Sequence, residues 1–446
     1  MYPMFPMMNN WFNQYTAIQA PRFNSFQQYA TQNSNSSNVL AYGGQGNLYA
    51  QMNSPFNVVN TYGAGNSLIY ANGANLVANL GAGNDFFYAY NRALSNFYYP
   101  NAAQNVATGG QDVLVAQNTT SYNVNTGAGN DALFLGHINN VQALNINAGD
   151  DDDALLANIE NQADFTLDMG SGNDVAAVNI AHSGGTLSLG HGNDAALIQA
   201  TGSQLLVDAI GLGHNTVAVE ALDSDLVYLG GIEQDDLAVV ATNSTVALDG
   251  NSGDDNIALS LANADGLASG GNGDDTIALE VTDIRSTGFV DGGNGNDTVT
   301  VEGNSGTAQV NGGRGDDTIR VGGVAMEVVV DDGLGNDLAE FLAEALGSTY
   351  VFNGGAGQDR YLANAGRGIG ATYNLIGGGA DLFTLTNTPY ASEFTVHADS
   401  EDTVRLNGSA SNWRMVQNGD ARTYTNYRNG NIVYLIGQAL VEFATA

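Results

Sequence analysis

Aspartates recur along this chain at the ends of short glycine-rich runs, in a pattern suited to holding hard cations. One copy is Gly292-Gly293-Asn294-Gly295-Asn296-Asp297-Thr298-Val299, and near-perfect copies stand at Gly270–Ile277 and Gly312–Ile319. Each reads GGxGxDxU, with U a large apolar residue. Glycine tolerates positive φ, so such a run turns sharply and directs carbonyl oxygens inward. The Asp adds an anionic oxygen, and the apolar residue two places on opens a strand. Carboxylate and carbonyl oxygens without nitrogen or sulfur are the donors Ca²⁺ prefers.

The motif keeps a metre. Its Asp, or the residue in that place, falls at Asn47, Asn66, Asp85, Asp112, Asp131, Asp151, Asp174, Asp194, Asn215, Asp235, Asp255, Asp275, Asp297, Asp317, Asp337, Asp359 and Asp381. The intervals run from 19 to 23 residues, apart from one of 27. Such regularity marks a solenoid. Within a period the chain reads short strand, motif turn, short strand, looser turn, as in Thr245–Asp249, the turn to Asp255, and Asn256–Ser260. Ile257 and Leu259 alternate with small or polar residues, as a strand with one buried face requires. The expected fold is an all-β parallel β-roll or β-solenoid of about 17 coils of about 20 residues, closed by a small C-terminal β cap.

These repeats resemble the RTX (repeats-in-toxin) family, whose nonapeptides form calcium-bound parallel β-rolls. The resemblance covers residues 41–386. It implies several Ca²⁺ ions, each held between successive turns by motif carboxylates and glycine carbonyls. Carried onto this chain, the aspartate ligands are Asp85, Asp131, Asp151, Asp174, Asp194, Asp235, Asp255, Asp275, Asp297, Asp317, Asp337, Asp359 and Asp381. The glycines are Gly271 and Gly273, Gly293 and Gly295, Gly313 and Gly315, Gly333 and Gly335, and Gly355 and Gly357. One departure stands out. Tandem nonapeptides place a calcium turn on both edges of the roll, whereas one motif per coil places every such turn on a single edge. Asn47, Asn66 and Asn215 lack the charge, and Asp112 and Asp235 sit in irregular turns, so those stations hold metal weakly or not at all.

Composition agrees with a cation requirement. Lys and Arg together number 11 against 46 Asp and Glu, for a formal charge of −35, and every basic residue is Arg. One Ca²⁺ at each of the fourteen Asp stations would bring that to about −7. The acidity argues against nucleic acid or anionic membrane as a partner. A 43% hydrophobic content separates the chain from acidic disordered proteins. With no cysteine, disulfides and thiolate metal sites are excluded. No run approaches the ~18 apolar residues of a membrane helix.

The two ends differ from the middle. Residues 1–40, rich in Asn, Gln and aromatics, read as a disordered tail, as a docking or polymerising arm, or as a small folded cap. Residues 387–446, with Trp413, Tyr424 and Tyr427, read as a cap, and Asn429–Phe443 resembles the export signal of type I secreted RTX proteins. The opening residues lack a Sec leader, so the expectation is export without an N-terminal signal peptide, to the cell surface or medium.

No HExxH or GxSxG motif occurs among the five histidines and the serines. The chain therefore reads as a non-enzymatic, calcium-folded structural protein that assembles with itself, as a surface-layer or matrix component. Cell-surface polysaccharide or lipopolysaccharide is a further expected partner. The alternatives are a calcium-dependent adhesin or a carbohydrate- or ice-binding module, and, third, a β-helix polysaccharide-modifying enzyme.

Overall fold

In the computed structural model the described residues are 122–140, 144–342, 347–364, 370–386 and 391–444, together with short strands between residues 28 and 117. The expected stations Asn47, Asn66, Asp85 and Asp112 lie outside them, as does most of the expected arm at 1–40. The chain is an all-β parallel β-solenoid, with about 13 turns among the described residues, and its one helical element among the described residues is the short 3₁₀ turn Ala410–Asn412. Each coil gives one strand to each of two sheets. The chain forms two compact units, residues 1–219 and 220–446.

In the first unit, Ala132–Asn139, Ala154–Glu160, Val175–Ala181 and Ala195–Thr201 stack in parallel as one sheet. Tyr122–Asn125, Leu144–Asn147, Thr166–Asp168, Gly184–Ser188 and Gln204–Asp208 stack as the other. The period-2 pattern decides which side chains face inward. Leu155, Ala157 and Ile159 point into the roll, Ala154, Leu156 and Asn158 point out, and the next coil repeats this with Ala176, Val178 and Ile180. Ile146, Leu167, Leu187 and Val207 face the first sheet from the second.

The second unit continues the plan from Asp225–Leu229 onward. Asp236–Thr242, Asn256–Ala262 and Thr276–Val281 stack in one sheet, while Thr245–Asp249, Asp265–Asn272 and Thr287–Asn294 stack in the other. Towards the C-terminus the interior becomes aromatic: Phe341, Tyr350, Phe352, Tyr361, Tyr373, Phe383 and Phe394 are all buried. Phe352 and Tyr373 stack at 4.8 Å between ring centroids.

Parallel coils persist beyond residue 387. Glu393–Ala398 and Thr403–Asn407 extend the two ladders, and Ile432–Gly437 and Leu440–Ala444 pair in parallel onto them. Between these coils the antiparallel hairpin Trp413–Asn418 and Ala421–Asn426 folds back onto Ile432–Gly437. It covers an edge that a strand there would otherwise leave unpaired, so the β cap takes this form.

Candidate metal centre

The motif turns stack because glycine leaves room for them. Gly293 and Gly295 take φ of 108° and 141°, and a Cβ on either would overlap the carbonyl of the glycine one coil earlier, Gly271 or Gly273. The same two glycine columns run through Gly313 and Gly315 and through Gly333 and Gly335. They continue through Gly355 and Gly357, of which Gly357 alone has positive φ although Gly355 packs as closely on the Gly333 carbonyl, to Gly377 and Gly379, which pack on the Gly355 and Gly357 carbonyls.

Each turn ends at an aspartate pointing into the roll. Asp174, Asp194, Asp255, Asp275, Asp297, Asp317, Asp337, Asp359 and Asp381 are all buried, as are Asp131 and Asp235. They form a ladder in which Oδ1 of one Asp accepts the backbone N–H of the Asp one coil earlier. Asp255 donates to Asp275 at 2.7 Å, Asp275 to Asp297 at 2.8 Å, Asp297 to Asp317 at 2.8 Å, and Asp317 to Asp337 at 2.7 Å. Asp337 donates to Asp359 and Asp359 to Asp381, both at 2.9 Å.

Two rungs differ from the sequence reading. Asp153, not Asp151, occupies the buried position: it accepts the Asp131 N–H at 2.8 Å and donates to Asp174 Oδ1 at 2.7 Å. Asp151 is exposed at φ 77°. Four consecutive aspartates, Asp150 to Asp153, leave this choice open in the sequence; only stacking selects the last of them. Asp402 adds a rung the glycine motif could not reveal, accepting the Asp381 N–H at 3.1 Å. Its 21-residue spacing from Asp381 is the one signal that could have found it.

The second carboxylate oxygen is the unusual feature. In Asp153, Asp174, Asp255, Asp275, Asp297, Asp317, Asp337, Asp359 and Asp381, Oδ2 is buried and makes no hydrogen bond. Burial pushes these carboxyls up from 3.8, to about 8 for Asp153 and Asp174 and to about 7 for Asp255, Asp317 and Asp337. Asp275, Asp297 and Asp381 rise to about 6, and neighbouring carboxylates add to the effect of burial. The N–H bond to Oδ1 pulls the other way and does not compensate.

Two other rungs satisfy that oxygen within the protein. The Tyr228 hydroxyl and Gly231 N–H donate to Asp235 Oδ2 at 3.0 and 3.1 Å. Asp399 N–H donates to Asp402 Oδ2 at 2.7 Å. Asp235, expected as a ligand, thus has its second oxygen occupied by protein donors, because a tyrosine on the preceding strand reaches into the turn.

The opposite edge supplies a comparison. There a serine closes each of several turns in the same way: Gln162 N–H donates to Ser183 Oγ at 2.9 Å, Ser224 N–H to Ser244 Oγ at 3.0 Å, and Met326 N–H to Ser348 Oγ at 3.1 Å. Ser183 and Ser244 pass their own protons to the Ala181 and Thr242 carbonyls, so nothing is left over. Asn215 likewise serves within the aspartate ladder, accepting the Asp194 N–H at 3.1 Å. Holding the backbone therefore needs neither charge nor a second oxygen. A row of anionic oxygens, buried and unpaired, is a costly way to cap a turn unless protons or cations neutralise it.

Outside this ladder runs a second one that the sequence reading missed. The residue before each Asp accepts from its neighbour one coil on: Asn296 N–H donates to Asp274 Oδ1 at 2.7 Å, Asp316 to Asn296 at 2.8 Å, and Asn336 to Asp316 at 2.8 Å. It is exposed, and Asn at every other rung here spaces its charges.

The inner set is all oxygen, with buried carboxylates stacked one coil apart, and it fits a hard divalent cation such as Ca²⁺. No family model matches the chain, and no curated protein matches it.

Proposed function

We propose that this chain is an RTX-type β-roll that takes up calcium along its aspartate edge and serves as a structural, self-assembling protein outside the cell. The observation that carries this reading is the row of buried Oδ2 atoms without a partner. A bound cation would neutralise stacked carboxylates that otherwise repel one another in a water-poor turn. Metal binding would then be part of the folding free energy. A chain built this way would remain poorly folded where calcium is scarce and would stiffen where it is abundant, which favours an extracellular setting.

Support for self-association comes from the outward face of the first unit. Phe134, Leu156, Ala177 and Leu197 lie on successive rungs of one column, with Ala154, Val175 and Ala195 beside them. Among the described outward positions of these four strands the single charged residue is Glu160, near one edge. In a chain of charge −35, this is a face that two copies could share without opposing carboxylates. The ice-binding alternative finds less support. Thr276, Thr298 and Thr318 form an outward column, but Asn256 and Leu338 interrupt it on either side.

The test is the purified full chain with millimolar CaCl2 or with chelator, followed by circular dichroism, calorimetry and negative-stain microscopy. The expected result is cooperative gain of β signal on binding several Ca²⁺, and ordered assemblies that a Leu156→Arg variant fails to form. Equal folding under both conditions with no calcium uptake would overturn the calcium reading. Dispersed particles under all conditions would overturn self-assembly.

A further inference from the structure

In the run of turns from Asp235 to Asp359, one departs from glycine at its first position. Gly250, Gly270, Gly292 and Gly312 open their turns directly against Oδ2 of their own station aspartate; a Cβ on Gly292 would stand 2.6 Å from Asp297 Oδ2, and one on Gly312 would stand 2.7 Å from Asp317 Oδ2. In Asp331-Asp332-Gly333-Leu334-Gly335-Asn336-Asp337 that place is taken by Asp332, which is 1% exposed. A whole carboxylate stands where the adjacent turns carry Gly312 and Gly354, and where turns of the first unit carry the uncharged Thr126, Ala148, Met169 and Leu189.

Its position is held from two sides. Asp332 Oδ1 accepts the Gly355 N–H at 2.8 Å, and Oδ2 accepts the Tyr361 hydroxyl proton at 2.5 Å. Tyr361 stands two residues after Asp359, where other coils carry Ile257, Ile277, Val299 or Ile319, so a residue with a polar tip replaces an aliphatic one opposite the added acid. One carboxylate oxygen from each of Asp332, Asp337 and Asp359 lies within 4.8 Å of the other two. Asp337 and Asp359 are each 1% exposed, and each keeps an Oδ2 that makes no hydrogen bond. Among the described residues this is the one group of three carboxylates drawn so close.

We propose that Asp332, Asp337 and Asp359 form a divalent-cation site distinct from the repeating ones, the tightest in the chain and the first to fill, with Asp332 as an additional anionic ligand. The inference rests on the reading that the ladder takes calcium, and adds that its sites are unequal. Oxygen-ligand calcium sites are tuned over several decades by the number of charged ligands and by site rigidity. Asp332 supplies the charge. Tyr361 and the Gly355 N–H supply rigidity by fixing the carboxylate before metal arrives, which makes Tyr361 a positioning residue. Asp332 oxygens can accept these two bonds and still offer lone pairs to a cation.

The experiment is isothermal titration of the full chain with CaCl2, comparing wild type with Asp332→Gly and Asp332→Asn. Asp332→Gly restores the residue found at the start of other turns, and Asp332→Asn keeps the size and an acceptor for Tyr361 while removing the charge. Wild type should show about one Ca²⁺ per chain bound at least roughly tenfold more tightly than the rest. Both variants should lose that event while retaining the weaker ones and the β signal. Tyr361→Phe should weaken the first event and leave the later ones unchanged. A single class of sites in wild type, or a tight event surviving in both Asp332 variants, would overturn the proposal while leaving calcium binding by the ladder intact. No calcium uptake by any form would overturn the ladder reading and this one with it. Should Asp332→Gly fail to fold, Asp332→Asn carries the comparison alone.

Discussion

Asp297 combines two roles that a pair of substitutions separates. Its Oδ1 accepts the Asp275 N–H at 2.8 Å, and its Oδ2 is buried without a partner. Asp297→Ala strands the Asp275 amide, at a cost of about 1–3 kcal/mol. Asp297→Asn keeps the acceptor, as Asn215 does for Asp194. Burial, followed by neighbouring carboxylates, raises the Asp297 carboxyl from 3.8 to about 6. A group raised on folding contributes stability that is present below 3.8 and lost as pH rises through about 6. Near pH 8 without metal the folded chain therefore carries an ionised group at a cost of about 3 kcal/mol. In chelator near pH 8, Asp297→Asn should be more stable than wild type by up to about 3 kcal/mol, while Asp297→Ala should gain less, because its stranded amide offsets the lost charge. Near pH 3 the Asn variant should match wild type and the Ala variant should fall below it. In millimolar calcium wild type should exceed both, since each has lost an anionic ligand. Because a solenoid can open one coil at a time, the assay is hydrogen exchange at Thr276–Val281 alongside urea melts. Equal behaviour of the Asn and Ala variants in chelator would refute the ladder argument. Undiminished calcium stabilisation of the Asn variant would refute the role given to Oδ2.

Three further outcomes follow from the same geometry. Without metal the chain should be more stable near pH 5 than near pH 8, because carboxyls raised to about 6–8 lose protons over that interval; calcium, which competes with those protons, should abolish the trend in pH-dependent thermal melts. Gly295→Ala should destabilise by about 3 kcal/mol or more in urea melts, since φ is 141° and the new methyl would overlap the Gly273 carbonyl. Tyr228→Phe removes one donor from Asp235 Oδ2 and should cost about 1–3 kcal/mol without lowering the number of calcium ions bound, as read by calorimetry.

Much of this architecture was legible in residues alone. The glycine pairs with Asp at fixed offset, repeated every 20 or so residues, specified turns, strands and a parallel stack, because both rules are local: glycine where φ is positive, and apolar residues alternating along a strand. The burial of Asp255 through Asp359 on one edge follows directly. What could not be read was which atom meets which. Asp151 and Asp153 are chemically alike and two residues apart, so no local rule separates them. Asp402 lacks its glycines, and Tyr228 looks like any other alternating residue in Asp225–Leu229.

The repeat by itself thus determined the coil, its period and the edge on which carboxylates gather. Only the tertiary structure decided what those carboxylates do: that Oδ1 is committed to the neighbouring coil, that Tyr228 completes Asp235, and that Asp332 joins Asp337 and Asp359. The physical reason is distance along the chain. Each of these contacts joins residues whose neighbourhood depends on the length and shape of the intervening loop or coil, and a shift of one or two residues there changes the partner without disturbing the metre.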